Sequence, residues 1–152
     1  MAKINVKEMN LDQYITMMEE WFAKLPAFPV AARDIMVKIA PWFALIFGIL
    51  GVLGSIAATG FLTVLSPFVA LGGGLGVAAG GIVAALGGII SSVLMLLAFP
   101  GLKARKVAGW KYSFYSEGVS VIAALVSFNL VGAVISALIG FYLLFQIKSY
   151  YK

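Results

Sequence analysis

Leu11, Tyr14, Ile15, Met18, Phe22 and Leu25 recur at three- and four-residue intervals, the spacing of one face of an α-helix. The opposite face carries Asp12, Glu19, Glu20 and Lys24. An amphipathic helix is therefore predicted over residues 11–25. Asn10 stands where an N-cap belongs, and Asp12 in the first turn favours the helix dipole. Pro26 and Pro29 end the helix. Trp21 and Phe22 suit the headgroup level, so the helix is expected to lie on the membrane surface or against the bundle, the alternative being a helix docked on other cytoplasmic segments of an oligomer. Residues 1–9 are polar and are read as loose. Residues 31–39 give one or two further amphipathic turns with Arg33, Asp34 and Lys38 wet. Pro41-Trp42 then marks a membrane boundary, unless helix runs on from Val30, in which case Pro41 should kink it.

Beyond Lys38 the polar positions disappear. No residue is charged over residues 39–102, a run of 64, or over residues 118–147, a run of 30. A membrane-crossing helix needs about 20 apolar residues. Four spans are predicted, at about 41–59, 73–98, 107–128 and 131–148. Gly60 reads as the stop of the first, residues 61–68 as an apolar connector, Pro100-Gly101 as the stop of the second, and Asn129 as the turn of a tight hairpin. The expected fold class is an all-α integral membrane protein of four transmembrane helices preceded by an amphipathic helix. Residues 1–40 form the arm and residues 41–152 the bundle.

The second span is crowded with glycine. Gly72, Gly76, Gly80, Ala84, Gly88 and Ser92 recur every four residues, as do Gly132, Ser136 and Gly140 in the fourth span. In water each interior glycine would cost a helix about 1 kcal/mol relative to alanine. In a bilayer the backbone must pair with itself, and a stripe of small residues lets another helix approach closely. Gly48, Gly51 and Gly54 give the first span a similar face. Three spans with small faces exceed what one protomer uses internally, so a homo-oligomer is expected, with these positions packing helices or lining a pore.

Composition agrees with the pattern: 62% of the chain is hydrophobic and 11% charged, against about 25% charged in soluble domains. The net charge of +5 matters through its placement. The segments at 61–72 and 128–130 carry no lysine or arginine. Residues 1–40 carry five, residues 100–111 carry four and the tail two. The positive-inside rule puts both termini and the basic loop on the cytoplasmic side, and four spans return the chain to that side. The plasma membrane is the expected location. No apolar core precedes a cleavage site in the first 20 residues, so no signal peptide is read there. Lys103, Arg105, Lys106 and Lys111 are expected to set topology and to contact anionic lipid headgroups. Nucleic acid is not an expected partner.

The chain has no histidine and no cysteine, which removes imidazole and thiolate chemistry and the common zinc ligands. Gly72-Gly73-Gly74 lacks the Lys-Ser/Thr of a phosphate loop and the strand and acid of a dinucleotide fingerprint. No cofactor, metal or enzymatic activity is expected. Glu117 is the single acid beyond the amino-terminal arm. It is either an ion or proton site inside the membrane, or an interfacial acid paired with Tyr142 at its level, or with Lys103, Arg105 or Lys111. Three classes of function follow. The favoured one is an oligomeric channel or passive pore; a structural scaffold or lipid-interacting protein ranks second, and a small secondary transporter using Glu117 third.

Overall fold

The computed structural model describes residues 10–71 and 75–152. The predicted loose segment 1–9 and Gly72 lie outside them. The described residues are all-helical: α1 Leu11–Phe22, α2 Val30–Leu71, α3 Leu75–Lys103, α4 Val107–Val126 and α5 Leu130–Ile147, with a final 3-10 turn at Lys148–Tyr150. Val30–Phe68, Ala79–Lys103 and Leu130–Tyr150 are long and apolar enough to cross a membrane. Large apolar side chains such as Phe47, Leu50, Leu53 and Phe61 stand exposed along α2. In water such a surface would aggregate; here it marks a membrane protein.

Helix α1 starts as predicted. Asn10 and Gln13 form a reciprocal capping box, satisfying two of the free N–H groups of the first turn. Helix α2 differs from expectation. It runs unbroken through Pro41, through the predicted stop at Gly60 and through the predicted connector 61–68. Glycine ends helices where water can take the freed carbonyls. Among the apolar side chains of this segment no such partner exists, so continuing the helix is the cheaper course. Helix α3 likewise passes Pro100-Gly101 and stops at Lys103. The stop is made by Arg105 at φ 54, with Lys106 N–H donating to the Gly101 carbonyl and Arg105 N–H to that of Leu102. That is a Schellman motif. Phe128 at φ 58 ends α4 in the same way, with Asn129 then capping Gly132 of α5.

Helices α2, α3, α4 and α5 pack in chain order, each antiparallel to the next, whereas α2 and α5 meet over only a short stretch. The central helix α3 serves two neighbours with consecutive small residues. Gly80, Gly87 and Ser91 face α4; Gly81, Gly88 and Ser92 face α2. A Cβ on Gly87 would lie 2.4 Å from the Ala123 Cβ, and one on Gly88 2.5 Å from the Ser55 hydroxyl. The Ser91 hydroxyl meets those of Ser116 and Ser120 at 2.8 and 2.7 Å. The contacts recur at steps of seven and then four residues, which together keep each row close to one face. A four-residue step drifts by about 40°, so Gly80, Ala84 and Gly88 do not share a face: Gly80 approaches α4, Ala84 is exposed, and Gly88 approaches α2. Gly76 falls at the start of α3.

The basic end is tied together by aromatic packing. Trp110 is 1% exposed, stacks on Phe114 and meets Phe145 at a tilt, and donates its indole N–H to the Leu144 carbonyl at 2.8 Å. Helix α1 docks on this cluster through buried Ile15 and through Phe22 against Phe145. Ion pairs Asp12–Lys111 (2.7 Å) and Glu19–Lys148 hold its polar face. Helix α1 thus lies against the bundle, one of the placements expected for it. Lys152 closes the chain by exchanging backbone hydrogen bonds with Arg105 and Val107.

Candidate functional site

Because α2 and α5 diverge, a groove of about 470 Å³ opens between them. Its walls are Met36, Ala40 and Phe43 of α2 and Gly140, Leu143 and Leu144 of α5. Met95 of α3 and Ser113, Ser116 and Glu117 of α4 form the floor. The rim residues Ile39, Phe43 and Leu143 are exposed. The hydroxyls of Ser113 and Ser116 already donate to the carbonyls of Gly109 and Ser91. Among the described residues Glu117 is the one charged group in the lining.

Glu117 lies ten residues into α4, about 15 Å from its start. Its carboxylate accepts the Ser136 hydroxyl at 2.5 Å and rests directly on the α5 backbone. A Cβ on Gly140 would fall 2.3 Å from Glu117 Cδ, so any side chain there would push the carboxylate out of this position. Two members of the α5 stripe, Ser136 and Gly140, thus build a slot for the carboxylate. The third, Gly132, sits under its own cap, with a Cβ there falling 2.5 Å from the Asn129 amide. The expected partner Tyr142 is not part of the slot. Two residues beyond Gly140 it points about 200° around α5, and its hydroxyl donates to the Pro26 carbonyl at 2.5 Å. None of the expected basic partners reaches Glu117 either. Lys111 is paired with Asp12, Lys103 lies over the Phe99 ring, and Arg105 and Lys106 are exposed in the α3–α4 turn. Among the described residues the carboxylate has no cation within ion-pair distance.

The α1–α2 linker closes the basic end of the groove. Phe28 N–H donates to Gln146 Oε1 at 3.1 Å, and the Phe28 ring packs on Tyr142 at 5.3 Å. Phe28 and Gln146 carry no sequence signal for this role beyond the two prolines that stiffen the linker at 26 and 29. Among the described residues no group of three potential metal ligands comes together.

A smaller cavity of about 240 Å³ at the basic end is lined by Glu19, Val107, Trp110, Lys148, Ser149 and Tyr151. Burial pushes the Tyr151 phenol from an ordinary value near 10 up to about 12, with the Arg105 charge offsetting part of it. The fold therefore favours the neutral phenol. Its contribution to stability is present below about pH 10 and is lost as pH rises from 10 towards 12. In an alkaline titration followed by phenolate absorbance, Tyr151→Phe is expected to remove one late step and to leave the early steps in place.

Comparison with protein-family models, with curated proteins and with solved structures gives no match, and the groove with its slot for Glu117 is what the chain offers as a site.

Proposed function

We propose that the chain is a non-enzymatic, multi-pass protein of the plasma membrane that moves a cationic solute or proton, with Glu117 as its charge-bearing group. In this reading α2, α3, α4 and α5 all cross the bilayer, and both termini and the basic turn at 103–106 face the cytoplasm. Support for the fourth crossing comes from α4, which packs antiparallel between α3 and α5, and from the lysines and arginines gathered at one end of the bundle. The observation that carries the function is the carboxylate of Glu117, held in an apolar groove by one hydroxyl and a glycine slot and without a cation of its own. Burying a charge without a partner is costly, and in a membrane such groups mark ion and proton pathways. Contact of Lys103, Arg105 and Lys106 with anionic headgroups belongs to the same proposal.

The test is proton movement into proteoliposomes, read by a lumenal pH-sensitive dye under an imposed potential. The wild-type chain is expected to dissipate the gradient and Glu117→Gln to fall to the leak of empty vesicles. Equal rates for the two proteins would remove Glu117 from any transport mechanism.

An oligomeric channel is the second reading. Gly54 and Gly60 favour it: both stand on the exposed face of α2 with nothing within 4 Å of a Cβ built there. A closed ring in lipid nanodiscs would support it, and a monomer would end it.

A further inference from the structure

We propose that the groove between α2 and α5 is a binding site for a hydrophobic monovalent organic cation, an inference that rests on reading Glu117 as the charge-bearing group. The volume of about 470 Å³ falls within the range of sites for drug-sized molecules, roughly 300–1,000 Å³. The lining decides the chemistry. A metal such as calcium wants about six to eight oxygen ligands, and the groove supplies one carboxylate and two hydroxyls that already donate to helix carbonyls. An organic cation needs one countercharge and apolar walls, which is what is present. Phe28 and Phe43 add aromatic rings to the lining, and aromatic rings attract cations that come over their faces. Met36 and Met95 line the same space, and methionine adapts to irregular shapes.

Glu117 also discriminates between occupants. Ser136 satisfies Oε1, and among the described residues no donor reaches Oε2. A lipid acyl chain would fill the apolar volume and leave that charge unanswered. A second copy of the chain would bring only uncharged membrane-facing helix, since residues 39–102 and 118–147 carry no lysine or arginine. The exposed rim at Ile39, Phe43 and Leu143 gives an amphiphile dissolved in the bilayer a lateral way in.

The probes are tetraphenylphosphonium and tetraphenylborate, ions of the same shape and opposite charge, measured by equilibrium binding to the full chain in lipid nanodiscs. Saturable binding of the phosphonium alone is expected. Glu117→Gln should weaken it by about thirtyfold or more, the scale of truncating a buried charge contact, and Glu117→Asp should restore part of it. Leu143→Trp fills the groove from an exposed rim position without touching the carboxylate, and should abolish binding even if Glu117→Gln fails to fold. Equal binding of both ions, or phosphonium binding indifferent to Glu117 and to Leu143→Trp, would overturn the proposal. Glu117-dependent proton flux without phosphonium binding would overturn this inference and leave the proposed function standing. Binding without flux would do the reverse.

Discussion

Gly109→Ala is expected to unfold the α3–α4 hairpin or to lower its stability by about 3 kcal/mol or more, the upper range of overpacking a close-packed site. A Cβ there would lie 2.2 Å from the Leu102 nitrogen and 2.3 Å from the Gly101 carbonyl carbon. Both are backbone atoms, so no rotamer change relieves the clash and the two helices must separate. They have little freedom to do so. The turn between them is fixed by the Schellman bonds of Arg105 and Lys106, and by Lys152, whose backbone bonds bracket it from outside. Gly118, in the same helix, provides the control, because a Cβ there meets nothing within 4 Å. Gly118→Ala should be neutral, or stabilising by up to about 1 kcal/mol from helix propensity. Thermal unfolding in mild detergent measures both. Equal effects of the two substitutions would mean that the close crossing at Gly101 and Gly109 does not govern the hairpin.

That crossing shows what the chain states openly and what it hides. The helical, membrane-embedded character is legible, because long uncharged runs admit few other structures. The amphipathic start at Asn10 is legible, because capping is local. Helix ends inside the apolar region are not. Gly60 and Pro100-Gly101 are stop signals calibrated on water-exposed helices, and they lose force where freed carbonyls have no solvent. The glycine pattern is legible as packing and misleading as geometry. A four-residue stripe catches the eye, whereas the helices use consecutive pairs repeated every seven residues, Gly80-Gly81 and Gly87-Gly88, because α3 has two neighbours. Glu117 is legible as the lone acid beyond the arm, and its contacts on α5, Ser136 and Gly140, lie within two turns of the expected level at Tyr142. Its side of α5 depends on helix rotation, which composition does not carry. Tyr142 and Gly140 differ by two residues and by most of half a turn, and only the glycine leaves space for a carboxylate. The groove itself follows from α2 and α5 being the ends of the helical series, a consequence of packing order.

Trp110→Ala is expected to cost about 3–5 kcal/mol, the usual range for deleting a large buried aromatic, and to release α1. Trp110 is the largest fully buried side chain of the described residues. It joins α4 to α5 through its indole N–H bond to Leu144, and its ring stacks on Phe114 and packs at a tilt on Phe145 while Lys148 Nζ lies 5.4 Å from the ring centre. Phe145 in turn holds Phe22 of α1, and Lys148 holds Glu19. Removing the indole loosens both attachments together and opens the buried cluster that Ile15 enters, and the remaining exposed Asp12–Lys111 pair is worth at most about 1 kcal/mol. Once α1 leaves, Phe28 and Pro26 lose the anchored chain that holds them across the basic end of the groove. The readouts are a lowered thermal midpoint and faster cleavage by trypsin after Lys24, on the linker side of α1. Trp110→Phe keeps ring packing and loses the hydrogen bond, so it should fall about 1 kcal/mol below wild type with α1 still protected. Protection of Lys24 unchanged in Trp110→Ala would show that the indole is not what holds α1 on the bundle.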